Sequence, residues 1–343
     1  MTDFFADFRS DTITQPTVAM KEAMFSAPLG DDVFGDDPSV NALETKAANL
    51  FGVESALFCA SGTMANQLAI KVQTSAGDQV VCDKNAHVYL YEGGGIASNA
   101  NASVKLLDGK NGLLKAEQIA SAINPDDIHF PKTSLVCLEN TMNKGGGVYY
   151  DFSEIKKIKS LCQSEGLGFH LDGARLFNAL AETGEKPADY GKQFDSISVC
   201  LSKGLGCPVG SVLLGSKIII DKARRQRKAW GGGWRQAGLL AAAGIYALDN
   251  HVDRLKEDHV MAKAIGEMLM TKPWAKKVYP IKTNIVIFEL PDSIFAADFV
   301  SLLEKQNVRL VTFGKHLVRF VTHLDLNSEH LALTERALAQ LTL

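Results

Sequence analysis

Seven short apolar runs recur through the first two thirds of the chain: ALFC (56–59), QVVC (79–82), VKLL (104–107), SLVCLEN (134–140), LGFHLD (167–172), SISVCLS (196–202) and GSVLLG (210–215). They are mostly unbroken over four to six residues. A strand with one wet face would alternate, so unbroken runs predict a sheet covered on both faces. Amphipathic segments with helical spacing separate them, such as Thr63–Thr74, Lys115–Ala122 and Phe152–Ser164. Strand and helix in alternation predict a largely parallel, doubly wound α/β sheet. With 343 residues, 46% of them apolar, the chain can build one large core and a smaller one. Beyond Leu248 the pattern changes. A polar helical stretch, HVDRLKEDHVMAKAIGEMLM, leads to TNIVIFEL, VRLVTF and HLVRFVTH, which predicts a second, smaller α+β domain entered by a connecting helix. The expected division is 1–250, an N-terminal arm with the large domain, and 251–343, the small domain.

The same residues exclude several function classes. A formal net charge of −3 gives no general attraction to nucleic acid or anionic lipid. The basic run KARRQRK (222–228) is expected to be a solvated helix face. The longest apolar run, Ala237–Leu248, falls short of the roughly 20 residues that span a bilayer. Three acids precede any extended apolar block at the N-terminus, which argues against a signal peptide. The six cysteines have no CxxC spacing, so reduced buried thiols and a cytoplasmic setting are expected. DDVFGDDP (31–38) lacks EF-hand spacing, reads as a turn near the active site or an interface, and requires no metal.

In a doubly wound sheet, ligands collect at the carboxyl ends of the strands. In CASGTMANQLA (59–69), a strand gives way to Ser61-Gly62-Thr63 at the start of a helix. Its free N–H groups suit a phosphate or carboxylate, although a plain capped helix has the same sequence. The segment matches neither a P-loop nor a G-x-G-x-x-G fingerprint. In GFHLDGARLFNA (168–179), Asp172 ends an apolar run and Arg175 follows. Asp172 is either one half of an Asp–Arg pair or a helix cap, or it holds a ring nitrogen that must stay protonated. In SVCLSKGLG (198–206), Lys203 stands where a strand meets a glycine turn. An imine-forming lysine, a carboxylate for a pyridinium nitrogen and a helix N-terminus for a phosphate are together the fixtures of pyridoxal phosphate binding. His87, just after a strand, suits a ring lying flat on such a cofactor. His170 is expected to face away from Asp172 and to be structural.

Together with these segments, FRSDTITQPT, GDDVFGDDPSVNALE, DKNAHVYLYE, IHFPKTSLVCLENT, GGGWRQAGLLAAAG and VRFVTH resemble the low-specificity L-threonine aldolase family, in register from about residue 7 to 323. The resemblance implies the aspartate aminotransferase-like fold of pyridoxal phosphate-dependent transferases. It also implies cleavage of L-threonine or L-allo-threonine to glycine and acetaldehyde, and a homotetramer whose subunits complete one another's active sites. By motif, it makes Lys203 the Schiff-base lysine, Asp172 the partner of the ring nitrogen and His87 the stacked residue. Gly62 and Thr63 would hold the phosphate with Arg235 of a neighbouring chain. Arg175 would lie beside the ring oxygen and the substrate carboxylate, which Ser10 and Arg319 would grip. His129 would reach toward the β-substituent. The base that takes the β-hydroxyl proton stays open between His87, His129 and a water. Met142 stands where many relatives have histidine. A preference for bulkier substrates such as phenylserine, another β-eliminating reaction, or a silent scaffold are the competing functions.

Overall fold

The computed structural model describes residues 4–341. A two-residue strand, β1 (Ala6–Asp7), precedes helices at Val18–Phe25 and Pro38–Phe51. The central sheet then follows as β2 (Ser55–Cys59), β3 (Gln79–Asp83), β4 (Ser103–Leu107), β5 (Thr133–Glu139), β6 (Gly168–Asp172), β7 (Ser196–Cys200) and β8 (Ser211–Gly215). Their spatial order is β2-β8-β7-β6-β5-β3-β4. Neighbours from β4 through β7 pair in parallel, while β8 lies antiparallel between β7 and β2. Helices cover both faces, which is why β3, β7 and β8 are buried at every position. The edge strand β4 is largely exposed, and its lysine interrupts the apolar run at its centre.

After the helix Leu255–Met270, a second sheet forms from β9 (Lys277–Val278), β10 (Ile285–Glu289), β12 (Val311–Thr312) and β13 (Leu317–Val321), in the order β12-β13-β10-β9. The segment VRLVTF, expected as one strand, is divided. Its first residues form β11 (Val308–Arg309), which pairs in parallel with β1, and its last form β12. The chain's start therefore packs with its end: Ala6 and Phe8 belong to the same apolar core as Phe288, Phe299 and Phe320. Among the described residues no helix is long and apolar enough to cross a membrane.

Candidate active site

The carboxyl ends of β2, β3, β5, β6 and β7 share one edge of the central sheet. At β2, Ser61 caps the helix Gly62–Gln73 by accepting the Met64 N–H at 3.1 Å. The Gly62 and Thr63 N–H groups have no partner among the described residues, which leaves a donor pair at a helix N-terminus. Glycine at 62 lets the helix start approach β7 closely, because a Cβ there would lie 2.6 Å from Cys200 Sγ and force that side chain or the helix to shift. The turn after β7 carries Lys203 and closes on Gly206, whose φ of +75° is a glycine conformation and whose N–H donates to the Lys203 carbonyl at 2.8 Å. His251 Nδ1 pins the same turn through the Leu205 carbonyl at 2.7 Å. Lys203 is half-buried, and its amine makes no hydrogen bond or ion pair with the described residues.

Asp172 ends β6 as a buried carboxylate, with Oδ1 accepting the Ala174 N–H at 3.0 Å and Oδ2 accepting Asn66 Nδ2 at 2.9 Å. It is not paired with Arg175. That guanidinium instead makes a two-pronged contact with Asp11, at 2.7 Å from both Nε and Nη2. Burial alone would raise the Asp11 pKa, but Arg175 outweighs it and holds the carboxyl well below the usual range. His87 follows β3, donating its backbone N–H to Glu139 at 2.8 Å and meeting Glu92 Oε1 through Nδ1 at 2.9 Å. Burial opposes protonation of this ring. The Glu92 contact, with Asp172 and Glu139 behind it, reverses the balance and raises its pKa. Glu139, at the end of β5, is pushed up by burial and by the neighbouring Asp172. His87, Glu92 and Asp172 offer ligand atoms within 4.8 Å of one another, but N–H donors from Asn66, Gln67 and Ala174 already occupy the carboxylates.

His170 is the expectation that the structure corrects. Residues two apart on a strand share a face, so His170 lies on the same side as Asp172. Its Nε2 meets Asn66 Oδ1 at 3.1 Å, and Asn66 in turn holds Asp172. Burial drives its pKa down to about 4, which keeps the ring neutral. Across the cleft, Arg319 on β13 donates to Asn143 Oδ1 at 2.8 Å and to the Arg9 carbonyl at 3.0 Å. The guanidinium lies 4.8 Å over the Phe313 ring. Its Nε is buried without a partner, and burial together with Arg175 lowers its pKa to about 10. Ser10, next to Arg9, caps the short turn at Asp11–Ile13 through the Thr12 N–H at 3.2 Å.

Two expected site residues stand apart in the single chain. The His129 side chain is 79% exposed and bonds only to Asp127. Arg235 is 59% exposed and pairs with Asp31 at 3.0 Å. The run KARRQRK is also less solvated than expected. Arg227 is buried against Asp32 and the Phe58 carbonyl, and Arg224 pairs with Glu44. The acids of DDVFGDDP thus serve arginines and N–H groups, with Asp37 capping the helix Pro38–Phe51 and binding the Gly238 N–H. Met142 is buried and makes no polar side-chain contact.

The donor set suits a phosphate-bearing aldehyde cofactor. It combines an unpartnered amine, a buried carboxylate, an unpartnered N–H pair and a half-buried guanidinium with an orphaned Nε. The sequence reading missed Asn66, Glu92, Glu139 and Asp11. Asn66 left one signal, since it lies four residues after Gly62 on the docking face of its helix, a polar side chain in a stripe of Ala65 and Ala69. Glu139 left another, an acid closing an apolar run.

Comparison with known proteins gives the same picture. The beta-eliminating lyase family profile matches residues 7–292. The low specificity L-threonine aldolase of Escherichia coli K12 is 43% identical over 328 residues, covering 95% of this chain and 96% of its own. The Saccharomyces cerevisiae protein of that name is 38% identical, covering 96% and 86% respectively. The threonine aldolase structure from Leishmania major superposes with a TM-score of 0.85 at 20% identity, over 98% of this chain and 99% of that one. A Listeria monocytogenes structure described as a putative L-allo-threonine aldolase gives 0.81 at 23% identity, over 97% and 95%.

Proposed function

The chain belongs to the low-specificity L-threonine aldolases, a pyridoxal phosphate-dependent family, and we propose that it cleaves L-threonine and L-allo-threonine to glycine and acetaldehyde at this sheet edge. The observation that carries the reading is Arg319, a half-buried cation with an unpartnered Nε whose hydrogen bonds go only to an amide oxygen and a backbone carbonyl. A substrate carboxylate supplies the missing acceptor in a two-pronged contact. The bound cofactor supplies a carbonyl for amino groups and a ring that accepts the electron pair left on Cα when the Cα–Cβ bond breaks. Lys203 would be the amine that holds it, Asp172 the acceptor for its ring nitrogen, and the Gly62 and Thr63 N–H groups the phosphate cradle. Arg319 and the Ser10 segment fix the carboxylate and so choose which bond at Cα is aligned for cleavage. His87 is placed to exchange a proton with the β-hydroxyl, and the Glu92 contact, with Asp172 and Glu139 behind it, raises its pKa against the effect of burial. Arg175, locked by Asp11, would lie at the cofactor's edge in one fixed orientation.

Parallel kinetics on L-threonine, L-allo-threonine and L-phenylserine, with the D-isomers as controls, test the assignment. Lys203→Ala should abolish both the yellow colour and glycine release; retained turnover would contradict it. We further infer a cytoplasmic homotetramer. Six unpaired buried thiols suit a reducing compartment. Phe25, Phe34 and Ile128 present apolar surface at 79%, 80% and 98% exposure, which suits subunit contacts. Arg235 and His129 then serve a neighbour's site. Mixing inactive Lys203→Ala with an inactive Arg235→Ala variant should restore part of the activity, because some mixed sites receive both native residues. No recovery, or a monomer by light scattering, would sink this arrangement.

A further inference from the structure

A directed chain of hydrogen bonds runs behind the site. Asn66 turns its amide N–H groups to two carboxylates, so its Oδ1 is the atom facing His170 Nε2. His170 Nδ1 is left to accept the hydroxyl of Ser196 at 2.8 Å, which itself accepts Gln73 Nε2 at 2.7 Å. His170 therefore carries its proton on Nε2, aimed at Asn66 Oδ1, where the Ser198 hydroxyl also donates. The two Asn66 N–H bonds face Asp172 Oδ2 at 2.9 Å and Glu92 Oε1 at 2.8 Å. Gln67 Nε2 donates to the other Glu92 oxygen. Glu92 is thus a buried acceptor held by two amides, and the third group it meets is His87 Nδ1.

We propose that Glu92, oriented by Asn66 and Gln67, is a positioning residue that holds His87 in the tautomer protonated on Nδ1 and so leaves Nε2 as the acceptor for the substrate's β-hydroxyl proton. This deepens the aldolase reading and rests on it. In the step, the hydroxyl proton moves to Nε2, and the oxygen's electron pair becomes the second bond of the leaving aldehyde. The Cα–Cβ pair stays with the amino-acid fragment, whose Cα then takes up a proton. The net transfer is one hydrogen from oxygen to carbon. The imidazolium formed on the way faces Glu92, Asp172 and Glu139, all acidic. Its fourth neighbour is the Tyr91 ring, 5.6 Å away. A carboxylate behind Nδ1 therefore raises the basicity of Nε2 and fixes its direction at once.

The test is site-resolved. Exchange of the His87 C2–H for deuterium, followed by peptide mass spectrometry across pH in the holoenzyme, reads the titration of this ring alone. Glu92→Gln removes the charge while keeping the shape, since the Gln67 amide can turn to accept; its Oε1 has no partner. His87 should then titrate at lower pH, and the acid limb of kcat/KM for L-threonine should move the same way. The rate should fall roughly tenfold, a part of the 10²–10⁴ a positioned base contributes. Glu92→Asp, with the charge on a shorter arm, should recover much of both and leave a smaller shift in the same direction. If Glu92→Gln does not fold, that residual downward shift is the expected result and an unshifted His87 titration overturns the proposal. A folded Glu92→Gln protein with unchanged His87 titration and pH limb overturns the proposal while the aldolase assignment stands. If the native enzyme releases no glycine from threonine, that assignment fails, and the exchange data alone still decide what Glu92 does to His87.

Discussion

Arg319 is held only by neutral acceptors, an amide oxygen and a backbone carbonyl, so its charge is poised for an anion from outside. Truncating one partner of a desolvated charge pair costs about 2–5 kcal/mol. Arg319→Ala should therefore lower kcat/KM for L-threonine by about 10²-fold or more, mainly through KM, with the cofactor's absorbance intact. Arg319→Lys should fall between, keeping the charge but losing the second prong. Bleaching of the cofactor in Arg319→Ala would show that the guanidinium serves the coenzyme instead. Lys203 and Asp172 were legible in the sequence because a lysine and an aspartate are conspicuous at the ends of apolar runs, whereas Arg319, at the middle of β13, was legible only through the resemblance of VRFVTH to the family. Asn66 and Glu92 were not, since an amide in a helix and an acid before glycines are ordinary. Their meaning lies in partners 26 and 106 positions away. His170 was misjudged for a simpler reason, its strand parity with Asp172.

The helix Gly62–Gln73 does two jobs at once, and both depend on how closely it docks. Its N-terminus faces the site with free N–H groups, and one turn later the same face delivers Asn66 to Asp172. Gly62 permits the approach to Cys200. Gly62→Ala should overpack this contact and cost about 1–3 kcal/mol, moving the N–H pair and weakening cofactor retention. Cys200→Ala opens the space, so the double variant should be more stable than the sum of the single effects, by thermal unfolding of all four proteins. Additive losses would show that the helix start is not set by this contact. Elements of the central sheet were legible because burial on both faces writes itself as unbroken apolar runs, and all seven runs became strands, including the exposed edge strand β4 with its interrupting lysine. The second sheet was harder to read. VRLVTF is divided because Leu310, between its halves, turns into the core while the two halves pair with different partners. The basic helix Lys217–Ala229 looked solvated because nothing near it in sequence announces Asp32 and Glu44 as its partners.

At the scale of the whole molecule, residues 6–11 stitch the four-stranded sheet to the central one. β1 pairs with β11, the Phe8 carbonyl accepts the Val321 N–H at 2.9 Å, and His323 Nε2 donates to the Asp7 carbonyl at 2.9 Å. The segment then crosses to the central sheet's edge. There Asp11 binds Arg175 and also accepts Asn284 Nδ2 from beside β10 at 3.3 Å. One buried carboxylate thus ties the arm, the cofactor side and the second sheet to one another. Removing one partner of a buried ion pair costs about 3–5 kcal/mol, since the other charge stays behind uncompensated. Asp11→Asn should lose that much stability at neutral pH. The sign with pH follows from the depressed pKa in the fold. Unfolded chains bind the proton near pH ~3.9 and the folded one only well below it, so the carboxylate's contribution is complete above that value and fades as the pH falls through it. Urea unfolding of both proteins should show a constant gap from about pH 8 to 5 that narrows toward pH 3. A gap that does not change with pH would mean that the asparagine disturbs packing rather than charge. No gap at all would mean that the arm is held without Asp11.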